Sequence, residues 1–67
     1  MKITYDPKID ILRIILDDSL IEESDEEREG IIMDYDIQGK LVGIEILDAS
    51  KQVDNPFVMN YSVSQSA

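Results

Sequence analysis

Few folds accommodate the stretch GIIMDYDIQGKLVGIEIL, which runs from Gly30 to Leu47. Ile31, Met33 and Tyr35 alternate with other residues on its first arm, and Val42, Ile44 and Ile46 on its second. A period of two puts alternate side chains on one face of a strand. The IQG between the arms reads as a turn, so the unit is a β-hairpin. If paired positions sum to 77, Tyr35 faces Val42, Met33 faces Ile44 and Ile31 faces Ile46. That register lays one apolar set against the other, and a slip of one residue would turn a whole set to the opposite face. A three-residue loop with Gly39 in a left-handed bulge would shift the parity by one. The register that buries the apolar residues is preferred.

Part of the same stretch, DYDIQGKLVGIE (Asp34 to Glu45), also spells most of a calcium loop, with Gln38 where Asp or Asn is wanted. Such a loop hangs between two helices. Here the upstream flank holds Gly30 and adjacent isoleucines with no helical stripe, and the downstream flank alternates as a strand. Glu45 would therefore run away from the turn and would not curl back over a cation. The hairpin is the stronger reading. Asp34, Asp36 and Glu45 share a face, with Asp34 and Glu45 about 7–8 Å apart as diagonal neighbours, so a weak cation site stays open as the alternative.

The rest of the chain also reads largely as strands. Lys2 to Tyr5 alternates, and Asp6-Pro7 marks a turn. Ile9 to Leu16 is almost all Ile and Leu, which favours a strand buried on both faces over the competing buried helix. Leu20 to Glu23 fits a short edge strand. Ser24 to Gly30, SDEEREG, has no apolar face and reads as a solvated loop or edge strand, although Ser24 and Glu27 have capping-box spacing for a helical turn. Asp48 is placed to N-cap a short helix that ends before Asn55-Pro56. Phe57, Met59, Tyr61 and Val63 alternate as a last strand, or as a tail that orders on a partner, and residues 64–67 read as frayed. A faint echo, Tyr5-Asp6 to Ser19 against Tyr35-Asp36 to Ser50, suggests two similar hairpins in one sheet, with chance similarity the competing reading.

The expected fold is therefore α+β and predominantly β: an antiparallel sheet of four to five strands (hairpins or a meander) with at most one short helix near residues 48–53. Residues 1–53 form the β-rich domain, and residues 54–67 extend it as a strand or tail. Ile14, Leu16, Met33, Val42, Ile44 and Ile46 are the expected core.

Fifteen acids against six bases give a net charge of −9 and a pI near 4.1. Such a chain repels phosphates and anionic membranes, so neither direct nucleic-acid binding nor membrane association is expected. No apolar run has signal-peptide or membrane-span length, which leaves a cytoplasmic location as the expectation. Without His, Cys or Trp the usual base, thiol nucleophile and soft-metal ligands are missing. No enzyme activity, cofactor or dedicated metal is expected. A chain of 67 residues buries only about 60% of its unfolded surface, and with no disulfide to supplement the core a homodimer is expected. Six of the eight residues from Glu22 to Glu29 are carboxylates: Glu22, Glu23, Asp25, Glu26, Glu27 and Glu29. They form either a solvated segment that blocks edge-to-edge aggregation or a docking surface for a basic protein.

Two motifs carry a resemblance. The opening has Tyr5-Asp6, Asp10 and Leu12, and the hairpin has Asp34-Tyr35-Asp36, Gly39, Val42 to Leu47, Ala49 and Ser50. Together they resemble the YuzE-type family of small prokaryotic domains of unknown function, over about residues 1 to 53. The family has small or aromatic residues where this chain has Ile9, Ile11 and Arg13. The resemblance implies a compact sheet with a short helix and no established activity. It also implies an antitoxin-like role, as the partner of a small basic ribonuclease toxin of the RelE or BrnT kind. A small-molecule or weak calcium-binding domain is the alternative class.

Overall fold

The computed structural model describes residues 1–65 as one five-stranded antiparallel sheet followed by a single short helix. The strands are β1 (Lys2–Asp6), β2 (Ile11–Ile15), β3 (Glu23–Arg28), β4 (Ile31–Tyr35) and β5 (Leu41–Leu47), and the helix α1 is Ala49–Gln52. The sheet order is β1-β2-β5-β4-β3. The hairpins β1–β2 and β4–β5 thus lie side by side, joined by β2 against β5, and β3 is added at the edge. A mainly antiparallel sheet of four to five strands with one short helix is the architecture that the alternation implied. The tail residues 66 and 67, read from the sequence as frayed, lie outside the described residues.

Met33 opposes Ile44 and Ile31 opposes Ile46, as the apolar alternation requires. Tyr35, however, opposes Leu41 and not Val42, because the pairing slips by one between Asp34 and Tyr35. The turn explains the slip. Gly39 is left-handed at φ 81, its N–H donates to the Asp36 carbonyl, and the Asp36 N–H donates to the Lys40 carbonyl. That turn shifts the parity, and Val42 absorbs the shift as the extra residue of a bulge. The Val42 carbonyl in turn accepts the N–H groups of Leu16 at 2.9 Å and Asp17 at 3.2 Å. The bulge is thereby tied to the end of β2.

Four local expectations are corrected. The edge strand is not Leu20 to Glu23 but Glu23–Arg28, which takes in the acidic segment. Ser24 caps no helix and bonds across to β4 instead. Asp48 does precede α1, but it is left-handed at φ 50 and its side chain caps nothing. Phe57 to Val63 forms no strand among the described residues, so the tail reading fits this segment better.

The core is smaller than the apolar pattern implied. Val42 and Ala49 are the only fully buried apolar residues among those described. Ile14, Met33, Ile44 and Ile46 are half-buried, and Leu16 is exposed. Nor is β2 buried on both faces, since Arg13 is exposed and Ile9 lies outside the strand, also exposed. The reason is geometric: a single sheet with a four-residue helix has no second layer. Ile3, Tyr5, Leu12, Ile14, Met33 and Ile44 lie on one face. Residues 53–59 cross part of that face and border an open apolar cavity of about 330 Å³ over Ile3, Leu12, Ile14 and Ile46. No helix among the described residues is long and apolar enough to cross a membrane.

Candidate functional site

Carboxylates organise this molecule in three places, and two of them are structural. The first joins the β1–β2 turn to α1. Asp10, left-handed at φ 57, accepts hydrogen bonds from Tyr5 Oη at 2.7 Å and the Ser50 N–H at 2.9 Å through Oδ1, and from Ser50 Oγ at 2.6 Å through Oδ2. Its carbonyl accepts the Ala49 N–H at 3.0 Å. Asp10 therefore does from forty residues away what Asp48 was expected to do, satisfying the first N–H groups of the helix. The Ser50 hydroxyl, the Tyr5 hydroxyl and the Ser50 N–H hold the Asp10 carboxyl below its usual range. The same bond to Asp10 raises Tyr5.

The second lies on the sheet face opposite the tail. Asp34 is 1% exposed, and its Oδ1 accepts the Ser24 hydroxyl at 2.6 Å. Gly43 stands opposite Asp34, and a Cβ there would lie 3.0 Å from Asp34 Oδ2. A side chain at this point would press on the Asp34 carboxylate, which would have to give way. Glu45 contacts Asp34 and is raised by burial, by the Asp34 charge and by their hydrogen bond, while Arg13, its partner on β2, acts in the opposite sense. The calcium-like spacing is thus divided between two tasks. Asp34 and Glu45 form this pair, whereas Asp36 Oδ1 accepts the N–H groups of Gln38 and Lys40 and closes the turn.

The pair makes stability depend on pH. Because Glu45 is raised above its ordinary 4.5, the folded state binds its proton more tightly than the unfolded state does. That contribution is complete below the ordinary range and is lost as pH rises through the folded value. Glu45→Gln keeps a donor to Asp34 and does not titrate. It is expected to raise Tm near pH 7.5 by roughly 4–8 °C for a change of about 1 kcal/mol. Thermal scans should show the gain shrink towards zero near pH 4.

The third place holds the residues singled out from the sequence. Glu22 immediately precedes β3, the strand carries Glu23, Asp25, Glu26 and Glu27, and Glu29 follows it; all six are exposed. Pairing places Glu23 and Asp25 beside Tyr35 and Met33, with Glu26 beside Ile32 on the other face. Carboxylates therefore project from both faces of a strand that bonds only to β4. Glu26 Oε2 accepts the Gly30 N–H, and Glu27 Oε1 accepts the Tyr35 hydroxyl at 2.8 Å. Tyr35 is raised by that bond, then by burial and by the charges of Glu27, Asp25 and Glu23. Among the described residues none of the six carboxylates is in a salt bridge; the one present joins Lys40 to Asp17 at 3.2 Å.

Sequence reasoning found the acidic segment but missed the structural contacts of Tyr5, Asp10 and Ser50 and the pairing of Gly43 with Asp34. Their positions stood in the two motifs, but spacing alone does not say that Asp10 and Ser50 meet.

A family model described as "Protein of unknown function (DUF2283)" matches residues 2–50. The match includes all three carboxylate arrangements and stops short of the tail. No curated protein and no solved structure matches the chain.

Proposed function

We propose, for a chain that belongs to this DUF2283 family of proteins of unknown function, that it is a protein-binding module whose acidic edge strand receives a basic partner. The observation that carries this reading is the placement of β3. It is an edge strand, exposed along its whole length, with carboxylates on both faces. Its outer backbone groups are available to add a strand, and its charges select a basic one. The resemblance to YuzE-type domains favours a basic toxin-like ribonuclease as that partner, in an antitoxin-like pairing within the cytoplasm. On this reading the chain is a binder and not an enzyme.

Charged edges also keep sheets from pairing with one another, and kinetics separate the two roles. Glu23 and Asp25 make no structural hydrogen bond of the kind that Glu26 and Glu27 make with Gly30 and Tyr35. The variant Glu23→Lys with Asp25→Lys should therefore fold as the parent does. The probe is a short peptide of alternating lysine and valine. At low salt the parent should associate with it roughly tenfold faster than the variant, with the gap closing as the Debye length falls to about 8 Å at physiological salt. Equal rates at low salt would reduce β3 to a solubility device.

A further inference from the structure

We propose that a second copy of this chain covers the apolar face of the sheet, the face partly crossed by residues 53–59. The area argues for it first. The chain exposes 5484 Å², whereas a folded chain of 7.6 kDa exposes about 4,300 Å². Its radius of gyration is 13.3 Å, against about 11 Å for a compact chain of this length. The excess of roughly 1,200 Å² exceeds the roughly 800 Å² that each partner buries in a standard stable interface. Part of that excess is the tail itself, which lies against the same face.

The chemistry of the face argues for it next. Ile14, Ile44 and Met33 line up across β2, β5 and β4 and remain half-buried. The tail covers them poorly: Phe57 is 74% exposed and touches Tyr5 only edge-on, with ring centroids 5.1 Å apart. Val58 and Met59 line the cavity beneath the tail and are exposed on their other side. A face this apolar has little to offer a basic partner, but it is complementary to itself under a two-fold axis.

Charge decides how two copies with a net charge of −9 meet. On this face the strand acids, Glu23, Asp25 and the Tyr35-bound Glu27, are confined to β3, and Asp54 borders the cavity beneath the tail. A two-fold axis parallel to the strands sets β3 of one copy over β1 of the other. The two acidic edges then lie four strand spacings apart, about 19 Å, well beyond a Debye length of about 8 Å. The outer edge of β3 stays free, so this surface is separate from the proposed docking edge.

Sedimentation velocity on the full chain, from low to high micromolar concentration, tests the proposal. The parent should sediment as a species of twice 7.6 kDa, and added salt should tighten it by screening the like charges. Binding of the lysine–valine peptide should weaken with salt. Phe57→Ser with Met59→Ser alters only exposed side chains and should raise the dimer dissociation constant about tenfold with an unchanged circular dichroism spectrum. Met33→Lys should give monomer. Glu23→Lys with Asp25→Lys should dimerise at least as tightly as the parent, whatever it does to peptide binding. A parent that stays monomeric at high micromolar concentration overturns the proposal, as does a dimer indifferent to both apolar-face variants.

Discussion

Gly43→Val is expected to leave the protein unfolded or barely stable. Gly43 sits in β5 between Ile15 of β2 and Asp34 of β4. A Cβ there already lies 3.0 Å from Asp34 Oδ2 and 3.5 Å from the Ile14 carbonyl oxygen. The two further methyl groups of valine need space that the Asp34 carboxylate occupies. Forcing extra carbons into packed surroundings costs about 1–3 kcal/mol. Driving a buried carboxylate from its Ser24 hydroxyl costs about 1.5–3 kcal/mol more. A domain of this length has roughly 3–10 kcal/mol of stability in total. Urea titration should show Gly43→Ala as a milder loss, because only the Cβ contact must relax. If Gly43→Val unfolds at the parent's urea midpoint, Asp34 is not held where the fold places it.

The second large effect is expected at Asp10. Asp10→Ala removes the acceptor for the Tyr5 hydroxyl and for both Ser50 donors, and it puts alanine in a left-handed position. With those bonds gone, the Ala49 N–H bond to the backbone carbonyl of residue 10 is the one hydrogen bond between α1 and the β1–β2 turn that remains among the described residues. The midpoint of thermal unfolding should fall on the order of 10 °C. Asp10→Asn tolerates the left-handed backbone and keeps one acceptor oxygen, so its fall should be smaller. Because the Asp10 carboxyl is held low, its contribution is present above the ordinary carboxylate range and is lost as pH falls through the lowered value. The difference between Asp10→Ala and the parent should therefore narrow in acid. An alanine variant that melts with the parent would mean that packing and the Ala49 backbone bond hold the turn and the helix without the Asp10 carboxylate.

These two residues mark the limit of what the sequence discloses. The β4–β5 hairpin was legible because its apolar period of two has only one register that buries both arms. The left-handed turn at Gly39 was legible too, and it conflicted with that register. The bulge at Val42 reconciles them, and no local pattern announces a bulge whose cause is the turn before it. The hairpin was preferred over the calcium-like spacing at Asp34, but the buried role of Asp34 stayed hidden because it depends on the missing side chain at Gly43, across the ladder. Asp10 and Ser50 are 40 residues apart, and it is the β2–β5 pairing, which sets Ile11 beside Leu47, that brings them together. The small core was misjudged for a different reason. Alternation says which side chains share a face but not whether a second layer exists to cover it. The acidic segment needed no such information, since six carboxylates with no apolar face are exposed in any fold.

The central claim, that β3 is a docking edge for a basic segment, is tested most directly by an amide NMR titration of the full chain with the lysine–valine peptide. The account predicts shifts concentrated in Glu23–Arg28 and in their β4 partners Ile31–Tyr35, fading as salt is added, with the opposite edge Lys2–Asp6 silent. Shifts centred on Lys2–Asp6 or on the apolar face, or no shifts at low salt, would contradict it.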